Sequence, residues 1–98
     1  MKLRWNRRAL ADLERIAARI ALDKPAVAAD FVTMIAAKAD RLREFPLLGR
    51  TGAYQDTREL VVHKNYLVTY RVRADEIQVL QVWHVARDPA RRARSGAA

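Results

Sequence analysis

The spacing of apolar residues changes period twice along this chain. Leu3 and Trp5 alternate with Lys2 and Arg4, the two-residue period of a short strand. From Leu10 the period lengthens: Leu10, Leu13, Ile16, Ala17 and Ile20 form one stripe, and Arg8, Asp12, Arg15 and Arg19 occupy the opposite side. That pattern predicts an amphipathic helix starting near Arg7, with Asn6 as its N-cap. Asp23-Lys24-Pro25 ends it and opens a second helix. Asp23 is the expected cap there, and Pro25 falls in the first turn, where its missing N–H costs nothing. The second helix directs Ala28, Phe31, Ile35, Ala39 (or Met34), Leu42 and Phe45 to the core and stops at Pro46. Alanines 28, 29, 36 and 37 keep its girth small, so the two helices can pack as an antiparallel hairpin.

After Pro46 the helical period is lost. Residues 46–57 read as a loop in which Gly49 and Gly52 permit unusual backbone angles. Three strands follow, Arg58 to His63, Tyr66 to Arg73 and Ile77 to His84, separated by tight turns at Lys64-Asn65 and Ala74-Asp75-Glu76. On the middle strand Tyr66, Val68, Tyr70 and Val72 share one face, and Leu67, Thr69, Arg71 and Arg73 the other. The last strand is apolar on both faces, which suits a central position. The order β-α-α-β-β-β predicts an α+β fold, a helical hairpin on a small, mainly antiparallel sheet. We expect a single domain over residues 1–89 and a basic, flexible tail over 90–98.

The net charge of +8 on 98 residues is concentrated at the two ends. Lys2, Arg4, Arg7 and Arg8 precede the first acid, and Arg87, Arg91, Arg92 and Arg94 face only Asp88, while the body is nearly balanced. Such a field favours an acidic partner, nucleic acid or an acidic protein segment, although a solvated tail needs no partner at all. With no cysteine, disulfides, thiolate catalysis and Cys-ligated zinc are excluded. No secretory h-region or membrane-length apolar run occurs, so a soluble, cytoplasmic chain is expected. Two lone histidines without a ligand-spaced carboxylate predict neither metal nor cofactor.

The residues in order carry a resemblance. Ala9-x-x-Asp12-Leu13-x-x-Ile16, Pro25-x-x-Ala28 and Phe45-Pro46-x-x-Gly49-Arg50 are followed by Thr57-Arg58-Glu59-Leu60-Val61-Val62, Asn65-Tyr66-x-x-x-Tyr70-Arg71-Val72 and His84-x-x-Arg87. From about Leu3 to Pro89 the chain resembles the RelE/ParE toxins of type II toxin–antitoxin modules. The resemblance implies a growth-inhibiting toxin, neutralised by a cognate antitoxin that wraps it and, with it, represses operator DNA. It also implies one of two targets, DNA gyrase or ribosome-bound mRNA.

For RNA cleavage the candidates are Glu59, Arg71, His84 and Arg87, which would supply a base, an acid and cations for the phosphate. The mRNA-cleaving relatives usually place an arginine after the tyrosine of the middle strand, where this chain has Leu67, and carry an aromatic near the C-terminus, which is missing after Trp83. The gyrase-directed, ParE-like branch is therefore favoured. A non-toxic antitoxin-binding module is a third reading. Target or antitoxin contacts are expected from Arg58, Arg71, Arg73, Arg87, Arg91 and Arg92. Each has a plainer role available. Arg58 and Glu59 point to opposite faces and suit cross-strand ion pairs; His84 suits a structural hydrogen bond; Tyr66 and Tyr70 suit burial against the helices, and Trp5 and Trp83 core or rim anchors.

Overall fold

The computed structural model describes residues 1–52, 54 and 56–87. Strand β1 (Lys2–Trp5) leads into helices α1 (Arg7–Ala21) and α2 (Pro25–Asp40), and a single 3-10 turn (Arg41–Arg43) follows. Four strands complete the fold: β2 (Arg50–Thr51), β3 (Arg58–His63), β4 (Tyr66–Arg73) and β5 (Glu76–His84). They form one sheet in the order β1-β5-β4-β3-β2, parallel between β1 and β5 and antiparallel elsewhere. The expected α+β architecture is present, with one further two-residue strand, β2, inside the segment read as loop. The last strand is central, between β1 and β4.

The α-helical hairpin covers one face. Ala9, Leu13, Phe31, Ile35 and Leu42 from the helical segment meet Leu60, Val62, Tyr66, Val68, Tyr70, Ile77, Val79 and Val82 from the sheet in one buried cluster. Burying an aliphatic side chain of this kind contributes about 1.5–3 kcal/mol. Two bulges set the phase of the strands. Thr69 pairs with Gln81 but Tyr70 with Val79, so Leu80 is an extra residue in β5; Val62 is likewise extra in β3. Because of Leu80, Ile77 and Val79 share the helix-covered face with Val82 and His84, and Gln78 shares the opposite face with Gln81 and Trp83.

Asn6 caps α1 as expected, its Oδ1 accepting the Ala9 N–H at 2.9 Å. Four sequence expectations need correction. The cap of α2 is Lys24, not Asp23, with no side-chain hydrogen bond. Pro25 takes the first helical position, which makes the residue before it the cap and keeps it out of helical angles (φ −142°, ψ 79°). Phe45 is 49 % exposed rather than core, because α2 ends at Asp40 and the 3-10 turn breaks the phase that would have carried it inward. Leu10 is 47 % exposed; the buried stripe of α1 runs through Ala9 and Leu13. Asp12, placed with the solvent-facing charges by pattern, is 1 % exposed. The basic tail at 90–98, with Arg91 and Arg92, lies outside the described residues.

Candidate functional site

The loop motif Phe45-Pro46-x-x-Gly49-Arg50 is held by the sheet. The Tyr70 hydroxyl donates to the Pro46 carbonyl at 2.8 Å and accepts the Gly49 N–H at 2.9 Å. Arg58 Nη1 donates to the Gly49 carbonyl at 2.8 Å. A Cβ at Gly49 would lie 2.7 Å from the Tyr70 ring, which explains glycine here by close approach rather than by backbone angle. Burial pushes the Tyr70 phenol above its ordinary value, partly offset by the Gly49 N–H and the Arg58 charge. Arg58 and Tyr70 thus act together in shaping the loop.

On the sheet face away from the helices, Glu59 is buried and paired with Arg50, whose Nε lies 3.3 Å from Glu59 Oε1. Thr69 Oγ1 accepts from Trp83 Nε1 at 2.9 Å and from Gln81 Nε2 at 3.4 Å. Leu67, opposite Trp83 in the register, is also buried. The centre of this face is therefore closed. Arg71 Nε donates to Gln78 Oε1 at 2.7 Å. Gln78 and Arg4 both donate to Glu76 Oε1, at 2.9 Å and 3.0 Å, and in that order of importance they hold its carboxyl below the ordinary range. Arg73 Nη2 lies 3.6 Å from Asp56 Oδ2, both exposed.

The remaining candidates come together elsewhere. A pocket of about 360 Å³ lies between α1 and the end of β5. Arg15, Arg19 and Arg87 supply its charge, Ile16 and Val82 its apolar wall, and Tyr66 and His84 the rest. Tyr66 sits edge-on to both Phe31 (4.9 Å between centroids) and His84 (4.8 Å). His84 Nδ1 accepts the backbone N–H groups of Ala86 and Arg87, each at 3.1 Å. A nitrogen that accepts two hydrogen bonds carries no proton, so the neutral ring is protonated at Nε2. The motif His84-x-x-Arg87 is in this way a turn that the histidine fixes and the arginine follows.

Of the four residues named for RNA chemistry, the structure brings His84 and Arg87 together and sets Glu59 and Arg71 on the opposite face of the sheet. Pattern reading missed Arg15, Arg19 and Tyr66 as companions of Arg87. The available signal was the i, i+4 spacing of Arg15 and Arg19, which shares a helix face but names no strand beside it. Among the described residues no three His, Cys, Asp or Glu side chains cluster as a metal site, and no helix is long and apolar enough to cross a membrane.

Two helices packed on a five-stranded mixed sheet are the architecture of small ParE/RelE-like toxins. Residues 3–89 match the family described as ParE toxin of type II toxin-antitoxin system, parDE. The Sinorhizobium fredii protein Y4kP is 40 % identical over 84 residues, covering 85 % of this chain and 86 % of that protein. Toxin RelE2 of Caulobacter vibrioides is 36 % identical over 83 residues, covering 85 % and 93 %. Among solved structures, a chain of the chromosomal ParDE TA system from P. aeruginosa superimposes with a TM-score of 0.76 at 26 % identity, covering 86 % of this chain and 95 % of that one. The Helicobacter pylori protein HP0894 shares the fold, with a TM-score of 0.58 at 19 % identity over 88 % of this chain and 96 % of its own. This chain belongs to the ParE toxin family of type II toxin–antitoxin systems, and an antitoxin is its partner.

Proposed function

We propose that this toxin arrests growth by binding and inhibiting DNA gyrase, not by cutting RNA. The observation that favours this reading is the dispersal of the acid–base set. Metal-free RNA cleavage needs a proton acceptor, a proton donor and phosphate-binding cations around one scissile bond, within hydrogen-bond reach of it. Here Glu59 is buried against Arg50 on one face, and His84 is on the other. They belong to β3 and β5, with β4 between, and Glu59 registers through Thr69 with Gln81, three residues before His84, so their backbones are more than roughly 10 Å apart even before the faces are counted. Arg71 is bonded to Gln78. The match to the parDE family description adds to the same reading. Docking to target or antitoxin then falls to exposed guanidinium groups, Arg73 and Arg87 among the described residues, with Arg58 and Arg71 supporting the fold.

In a supercoiling assay the purified toxin should inhibit gyrase or trap cleaved DNA, and the antitoxin should relieve it. The variants E59Q and H84A should still arrest growth wherever they fold. Intact gyrase activity at excess toxin, together with cleaved ribosome-bound mRNA, would overturn the proposal in favour of endonuclease action.

A further inference from the structure

The pocket between α1 and the end of β5 gathers more positive charge than the fold consumes. Asp12 is the acid beside it, and its carboxylate is already committed: Oδ2 accepts the Val82 N–H at 3.0 Å and Oδ1 is bonded to Arg15. Arg15 is thereby largely compensated. Arg19 and Arg87 have no acidic partner among the described residues. Tyr66 is 8 % exposed, and its hydroxyl has no hydrogen-bond partner among the described residues. A nearly buried phenol and two guanidinium groups with no acidic partner among the described residues thus line one cavity, Arg19 from α1, Tyr66 from β4 and Arg87 from beyond β5.

We propose that this pocket binds a phosphoryl group carried on an organic body. Two guanidinium groups with no acidic partner among the described residues match a phosphomonoester dianion better than a single carboxylate, and their planar donor pairs suit tetrahedral oxyanions. At about 360 Å³ the cavity exceeds what a bare oxyanion fills, and the apolar wall next to the arginines suits a sugar or a base. His84 serves as a positioning residue, since its Nδ1 fixes the turn from which Arg87 reaches the pocket. The phosphate can come from a mononucleotide or from a nucleic-acid backbone; the chemistry at the arginines is shared. This inference does not depend on the gyrase reading, and either can fail without the other.

The test is an amide and Arg Nε chemical-shift titration of the full chain at fixed ionic strength. The probes are inorganic phosphate, adenosine monophosphate, a short single-stranded oligonucleotide lacking a terminal phosphate, and glutarate. Saturable shifts confined to Arg15, Arg19, Tyr66 and Arg87 are expected. Tighter binding of the mononucleotide than of inorganic phosphate identifies a phosphomonoester on a nucleoside, and tighter binding of the oligonucleotide identifies the backbone. R19A and R87A, both at exposed positions, should each weaken binding roughly tenfold with unchanged spectral dispersion. Y66F, which keeps the packed ring, should weaken it several-fold. Shifts spread over basic residues of the whole surface, glutarate binding as well as phosphate, or full affinity in R19A and R87A would each overturn the proposal.

Discussion

Asp12 on α1 accepts the backbone N–H of Val82 on β5, bridging residues 70 positions apart in the chain. The reason lies in the sheet. β1 runs beside β5 only as far as the Trp5–Val79 pair and the Asn6 N–H to Val79 carbonyl bond. Beyond that point the chain has turned into α1, and among the described residues no strand continues β1 alongside Val82. A helix side chain takes over as the acceptor. D12A should therefore cost about 2–3 kcal/mol, since it strands a buried donor and removes a charge-assisted bond. D12N, which keeps an acceptor but not the charge facing Arg15, should cost about 1 kcal/mol. Urea unfolding followed by tryptophan fluorescence measures both, and an equal loss in the two variants would contradict this account.

The Tyr70 clamp on the 46–50 loop gives a second expectation. G49A should destabilise by about 2 kcal/mol or more, because the added methyl meets the Tyr70 ring and the Glu59 carbonyl at 2.7 and 2.9 Å. Y70F should lose about 2 kcal/mol by leaving the Gly49 N–H and the Pro46 carbonyl without their partner. Thermal unfolding of the two variants checks these values.

Alkaline pH gives a test specific to the phenol. The Tyr70 hydroxyl ionises above its ordinary value because burial disfavours the phenolate. As pH rises past about 10 the unfolded chain gives up this proton before the folded one does. Stability should then fall with pH until the raised folded value is passed, where the contribution levels off. Y70F lacks this term. Urea midpoints measured from about pH 9 to about pH 11 should decline less steeply in Y70F than in the parent; parallel declines would contradict it.

Ala74, in the turn between β4 and β5, has a φ of 53°. A side chain with a Cβ is disfavoured there by roughly 1 kcal/mol, and glycine is not. A74G should be stabilising by about 0.5–1 kcal/mol, less the extra chain entropy of glycine, and should raise Tm by about 2–6 °C. A lower Tm would show that the turn is held in this conformation at no cost.

Lys38 Nζ donates to the Val62 carbonyl at 2.8 Å, at the bulge in β3. β2 pairs only with Arg58 and Glu59, so the outer edge of β3 beyond them has no strand partner among the described residues. A lysine on such an edge opposes pairing with a second chain. K38A should increase concentration-dependent self-association in sedimentation velocity. K38R, which keeps charge and donor, should behave as the parent.

Much of this was legible in the sequence. The three long strands fall within a residue of their expected limits, and Asn6, Phe31, Ile35 and Leu42 take their expected places. Period and capping chemistry are local properties, and local properties are written in neighbouring residues. The pocket was not legible, because Arg15 and Arg19 reach Arg87 only through the packing of α1 on β5. Asp12 was misplaced for the same reason: an acid among arginines on a helix has the pattern of a solvated face, and its bonds to the Val82 N–H and to Arg15 form only when α1 packs on β5.

The sequence by itself determined the two helices, the four longer strands, their order, the α+β class and the family, through hydrophobic period and motif spacing, but not β2 or the 3-10 turn. Tertiary structure decided which face of each strand is covered. β5 is apolar at Val79, Leu80, Val82 and Trp83, so alternation leaves its phase open, and the one unpaired residue, Leu80, settles it. That bulge sends Val82 and His84 toward the helices and Trp83 to the other face. It divides Glu59 and Arg71 from His84 and Arg87, residues that share a motif order but not a site.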